Sequence, residues 1–189
     1  MTTTTPSRAI PAAPGTFSFT PLRIALFLVY VATAVFLATH SHAVRTTEAH
    51  LARPLLDLVI DEVRHRPGSE YIVYSAYHSP YWRALRVTID CSSVLVVVPM
   101  LVAGGCMSLV RRFSAWRAAG AMAAAALALV VINLLRIAMV GIAAWRFGKD
   151  GYEISHRIVG SGLVIAASVT AFVLAFRIVA KHARQNEEP

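Results

Sequence analysis

AAGAMAAAALALVVINLLRIAMVGIAAWRF, residues 118–147, decides the fold. It is an apolar run of about 30 residues, long enough to cross a bilayer with a turn or two to spare. Its centre carries Asn133-Leu134-Leu135-Arg136-Ile137, with an arginine that cannot lose its charge. Placing a guanidinium in hydrocarbon costs about 2.5–3.5 kcal/mol on insertion scales. A chain accepts that cost when the charge has a partner, a water-filled cavity or a chemical role. Read outward from this stretch, the sequence becomes a search for what Arg136 faces.

The composition agrees with a membrane setting. Of 189 residues, 57% are hydrophobic, and the mean hydropathy is +0.59, more than a soluble domain of this size needs for its core. The formal net charge of +8 raises the question of nucleic acid. The cations, however, stand at the ends of apolar runs, where they act as orientation signals, so no nucleic-acid partner is expected. Two cysteines give no disulfide framework and no metal-ligand spacing. There is no Gly-rich phosphate loop and no Gly-x-Ser-x-Gly elbow, and no cofactor or metal is expected.

The sequence therefore predicts an all-α, polytopic membrane helical bundle. About four transmembrane helices, at 22–39, 91–110, 118–147 and 156–180, form a single domain over 22–180. Residues 1–21, rich in Thr, Pro and Ala, read as a disordered cytoplasmic tail, and 181–189 as a short charged cytoplasmic tail. Ser41-His42-Ala43 loosely resembles a small-x-small cleavage site. A removed signal peptide is thus the alternative reading of the first helix, whose full spanning length argues for retention.

Residues 41–90 form the one sizeable polar region, an extracytoplasmic segment. Leu51, Leu55, Leu58, Val59 and Val63 recur at helical spacing, which predicts an amphipathic helix ended by Pro67-Gly68. Two runs rich in β-branched and aromatic residues, 71–77 and 84–89, flank His78-Ser79-Pro80 and predict a short β-hairpin. Arg8, Arg23, Arg111, Arg112, Arg117, Arg177, Lys181 and Arg184 fall on one side of this topology. The short loop between the last two spans offers only Lys149 before Arg157. Both termini are therefore placed in the cytoplasm, in a plasma-membrane protein. Splitting 118–147 into two spans would leave each about 22 Å long, too short to cross, so one long tilted helix is expected.

That topology brings Cys91, His156 and Arg136 to the extracytoplasmic side. A thiol near a cation and an imidazole has a lowered pKa and acts as a nucleophile. Histidine takes the thiol proton and returns it to a leaving amine. Arginine, with five donors, suits an oxyanion. Asn133, one helical turn from Arg136, is expected to orient it or add a donor. Cys106 lies about 22 Å deeper than Cys91 on the same helix and cannot pair with it.

An extended segment ending in Cys91, then Asn133-x-x-Arg136-Ile137, then His156-x-x-x-Gly160 resembles the exosortase/archaeosortase family of membrane cysteine transpeptidases. The resemblance covers roughly residues 85–180 and implies a catalytic set of Cys91, Arg136 and His156, supported by Asn133, Ser92 and Ser93. It implies cleavage of a C-terminal sorting signal on membrane-anchored substrates that carry a sorting helix. A Cys thioester would form, followed by transfer to an amine- or hydroxyl-bearing acceptor such as a lipid or surface glycan. Two departures stand out. Ser93 occupies the position two residues after the nucleophile where glycine is common, which bears on how closely a substrate carbonyl approaches the backbone. The chain is also short, like a compact member reduced to the catalytic core. The alternative is a non-catalytic membrane assembly or scaffold factor that pairs Arg136 with an acid on a partner's helix.

Overall fold

The computed structural model describes residues 17–78 and 80–185, with the backbone alone for 182–185. Of the tail expected over 1–21, residues 1–16 lie outside the described residues, as do the last four, 186–189; Phe17 and Ser18 instead pair with the chain at Val110 and Leu109. Helix α1 (Pro21–Thr39) passes at His40 into α2 (Ser41–Asp57). Three strands follow, β1 (Val63–His65), β2 (Tyr71–Ser75) and β3 (Trp82–Arg86). A 3-10 turn (Ile89–Cys91) leads into α3 (Val94–Leu109), and α4 (Ala115–Glu153) continues through a π-helical turn (Ile154–Gly160) into α5 (Ser161–Gln185).

Two helical stretches are long and apolar enough to cross a membrane, Pro21–Thr39 and Ala115–Lys181; Val94–Leu109 is apolar but shorter. The second stretch is far longer than one crossing and is not straight. Gly148 adopts φ 67°, ψ −139°, a conformation that breaks the helix and that residues with a Cβ avoid. The chain doubles back there, so Gly160 lies against Arg136 and Phe176 meets Phe113 edge-on. The apolar surface is turned outward. Leu28, Val29, Phe36, Leu127, Ile165 and Val169 are all exposed, a distribution that water disfavours and hydrocarbon does not.

The helices meet through small residues. Ala118, Ala125, Ala126 and Met122 of α4 pack with Tyr30, Ala34, Val97 and Met100 in one buried cluster. Close backbone approach of this kind is how helices gain dispersion contact where lipid removes the hydrophobic drive. Arg23 fastens this end, donating to the carbonyls of Ser108 (2.7 Å), Val110 (2.8 Å) and Phe113 (2.9 Å) around the C-terminus of α3. Ser108 belongs to the last turn of α3, where carbonyls lack partners within the helix and carry its negative dipole end.

Several expectations need correction. The fold is mostly helical but not all-α, because β1, β2 and β3 form an antiparallel sheet in that order. Residues 71–75 and 82–86 pair as Tyr71↔Arg86 through Ser75↔Trp82. The amphipathic helix ends at Asp57, before Pro67-Gly68, because Val63, Arg64 and His65 pair with Tyr74, Val73 and Ile72. Its buried face is also different: Glu48, Ala49, Ala52 and Leu56 are buried, while Leu51, Leu58 and Val59 are exposed. The small residues let α2 close on α4, where Leu56 lies over Gly141. Helix α3 starts at Val94, after Cys91, and the helix of α5 extends to Gln185, into the charged segment after residue 180. Cys106 is exposed on α3.

Candidate active site

Three short pieces of backbone meet where α2, α3 and α4 converge. The first is the 3-10 turn over Ile89–Cys91, closed by bonds from Cys91 N to Thr88 O and from Ser92 N to Ile89 O. The turn presents the Cys91 side chain into the protein just before α3 begins, with Cys91 6% exposed. The second is the middle of α4, whose Asn133 and Arg136 are buried at 1% and 4% exposed. The third is the π-helical turn after α4 doubles back. Its wider i→i+5 spacing, a feature often found at functional sites, carries His156 and Gly160.

Cys91 Sγ and His156 Nδ1 are 3.2 Å apart, a distance suited to proton transfer once the ring adopts the right tautomer. The Tyr152 ring stacks on His156 at 5.2 Å between centroids and 9° between planes, fixing the imidazole's orientation. Arg136 Nη1 donates to Asp90 O at 3.1 Å, which places the guanidinium beside the turn that carries Cys91. Arg136 Nε is buried without a partner. Gly160 makes room for it: a Cβ there would lie 2.7 Å from Arg136 Nε.

Of the six residues singled out from sequence, the structure brings all into one neighbourhood, but the smaller ones differ in what they touch. Asn133 does not bond Arg136. It donates to Cys91 O at 2.8 Å and to Glu48 Oε1 at 3.1 Å. Ser93 donates its N–H to Glu48 Oε1 at 2.8 Å, and Ser92 Oγ accepts from Val94 N at 3.4 Å. The amides of Cys91, Ser92, Ser93 and Val94 are thus all occupied.

Electrostatics also differ from expectation. Burial pushes the Cys91 thiol above its ordinary range; a hydrogen bond from Thr88 and the charge of Arg136 pull it back only in part. Burial thus works against the charged thiolate, and it also works against the charged form of His156, whose imidazole burial and Arg136 push below its ordinary range.

Sequence reasoning missed Glu48, Thr88 and Tyr152. Glu48 was hidden because its helix was phased on Leu51, Leu58 and Val59, which are exposed. The signal available was the 48/49/52/56 spacing, a helical stripe of small residues with one acid in it. A cavity of about 480 Å³ opens beside the site, with Thr88 and Tyr152 at its wall together with Arg83, Arg86 and Lys149. Among the described residues no cluster of three His, Cys, Asp or Glu is placed to hold a metal ion.

Compared with known families, residues 15–173 match the model described as transmembrane exosortase. No curated protein and no solved structure shows a match.

Proposed function

Because this chain belongs to the transmembrane exosortase family, a family of membrane cysteine transpeptidases, we propose that it cleaves a C-terminal sorting signal of exported membrane-anchored proteins and transfers the product to a cell-surface acceptor. The observation that carries this reading is the 3.2 Å contact of Cys91 Sγ with His156 Nδ1 beside a buried arginine with a spare donor.

The steps follow from the donors and acceptors. Cys91 Sγ attacks the scissile carbonyl as its proton passes to His156 Nδ1. The carbonyl oxygen takes the electron pair and becomes an oxyanion. In many acyl-transfer enzymes backbone amides near the nucleophile receive it. Here the amides of residues 91–94 are occupied, so the permanent charge of Arg136, whose guanidinium lies beside the same turn, is left to stabilise it. This arrangement also accommodates Ser93 where the family commonly has glycine, since the backbone there is not asked to approach the oxyanion. The intermediate collapses, the C–N bond breaks, and His156 returns its proton to the departing amine. The acyl group remains on Cys91 as a thioester, until an amine or hydroxyl of a lipid or glycan acceptor attacks it with His156 as base.

In the membrane, α1, α3, the first limb of the α4 hairpin and α5 cross as four spans, with both termini cytoplasmic and the site extracytoplasmic. α3 alone spans about 24 Å, less than the hydrocarbon thickness, so the bilayer thins locally beside the site. The scaffold alternative needs Arg136 open to a partner's helix, and its burial at 4% exposure speaks against that.

The test is processing of a reporter fused to the C-terminal sorting segment of an exported protein of the same cell. Cys91→Ala and His156→Ala are expected to abolish processing while the chain still inserts. Processing by Cys91→Ala within twofold of the native chain would overturn the proposal.

A further inference from the structure

Glu48 reaches the nucleophile from a helix that contributes none of Cys91, Arg136 or His156. It is 3% exposed and sits on the stripe of α2 that packs on α4 with Ala49, Ala52 and Leu56. A buried carboxylate is costly unless its oxygens are satisfied. Here Oε1 takes two donors, Ser93 N–H at 2.8 Å and Asn133 Nδ2 at 3.1 Å, while Oε2 has no partner among the described residues. Asn133 Nδ2 also reaches Cys91 O at 2.8 Å.

The carboxylate thereby grips the Cys91-Ser92-Ser93 backbone at two points: the amide of Ser93 directly, and the carbonyl of Cys91 through Asn133. A tripeptide held at its first carbonyl and last amide has little freedom to rotate. Its one long reach into the protein is the Cys91 side chain.

Resting on the proposed cysteine chemistry, we infer that Glu48 is a positioning residue for the nucleophile: it locks the 91–93 turn so that Sγ faces His156, and couples α2 to the site. The structure contains a built-in control. Oε1 of a glutamine accepts the same two bonds without the charge, so Glu48→Gln keeps the grip and Glu48→Ala loses it. Ser93→Pro is an independent probe. Ser93 has φ −62°, which proline adopts, and Ser92 at φ −86°, ψ 145° already has the conformation preferred before proline. The substitution removes the donor with little demand on the backbone.

The experiment follows alkylation of Cys91 by a charged maleimide against pH, in the detergent-extracted full chain with Cys106→Ala throughout and melting monitored in parallel. Freeing the turn lets water reach the thiol. Glu48→Ala and Ser93→Pro are each expected to label about tenfold faster at pH 7, with the profile moved to lower pH. Glu48→Gln should stay within threefold of the native profile. A native profile in Glu48→Ala, or in Ser93→Pro if only that variant accumulates, would overturn the inference. So would a Glu48→Gln profile as altered as that of Glu48→Ala. The probe needs no substrate. Should Cys91→Ala process the reporter normally, the cysteine mechanism fails on its own account, separately from this result.

Discussion

Arg23 and Arg136 stand at opposite ends of the bundle, and the same side chain is used in opposite ways. At the Arg23 end three hydrogen bonds consume the guanidinium on backbone carbonyls around the last turn of α3. At the Cys91 end Arg136 is more deeply buried, yet it makes one hydrogen bond to Asp90 O and leaves Nε without a partner. A saturated arginine is a fastener. Under the proposed mechanism, an arginine carried into an apolar interior with a donor unspent is held for the substrate.

The sharpest way to break this comparison is to remove each guanidinium in turn. Arg136→Ala is expected to lower reporter processing by about 10²–10³-fold, the scale of losing an oxyanion donor. Arg136→Lys should restore little, since lysine lacks the planar fork. Arg23→Ala should leave processing per folded molecule within about threefold and instead lower stability by about 2 kcal/mol, read as melting of the extracted protein. Equal losses of processing at both ends would erase the distinction.

Glycines extend the comparison with a smaller effect. Gly160→Ala places a methyl 2.7 Å from Arg136 Nε and is expected to cut processing by roughly 10–100-fold through displacement of the guanidinium, for which a 1 Å misplacement suffices. Gly104→Ala at the other end places its methyl 2.9 Å from Met122 Cβ and Tyr30 Cε1. It should cost about 1–3 kcal/mol by overpacking, with the processing rate per folded molecule unchanged.

The thiol supplies a pH test. Only the thiolate is alkylated, and burial holds the Cys91 thiol above its ordinary range. Labelling should therefore keep rising with pH beyond the range of a free cysteine. Arg136→Ala withdraws a charge that favours the thiolate, so its profile should move to still higher pH and labelling at pH 8 should fall severalfold. Arg23→Ala should leave the profile in place. The smallest effect expected is at Gly162, where a methyl meets nothing within 4 Å. Gly162→Ala should be neutral for processing and stabilise the helix by up to about 1 kcal/mol.

Much of this was legible in the residues, and what was hidden has a physical cause. Arg136 announced itself because a charge in a long apolar run has few innocent explanations. Cys91 and His156 became visible through their places at the ends of other apolar runs. Strand β1 stayed hidden because Val63 continues the helical spacing of Leu55 and Val59; its pairing with Tyr74 is a tertiary preference. Glu48 stayed hidden for a deeper reason. In water the large apolar face of a helix points inward, and that rule set the phase of α2. Here Leu51, Leu58 and Val59 are exposed while Ala49, Ala52 and Leu56 are inside, because small residues let α2 close on α4. The acid travelled with the small residues. The thiol's environment was misjudged because a one-dimensional reading counts neighbouring charges and cannot weigh how far water has been excluded.

The π-helical turn has one more consequence, which concerns chain length. His156 meets Cys91, and four residues later Gly160 meets Arg136, so both contacts depend on one rotational setting after the break at Gly148. Adding or deleting one residue between 148 and 156 turns everything beyond it by about 100°, taking one contact away as it spoils the other. The site thus works as a combination lock with two tumblers on a single shaft. Related chains can be expected to vary in length elsewhere, as in the 76–81 turn of the sheet, and to hold the count between Gly148 and Gly160 fixed even where the letters between them drift.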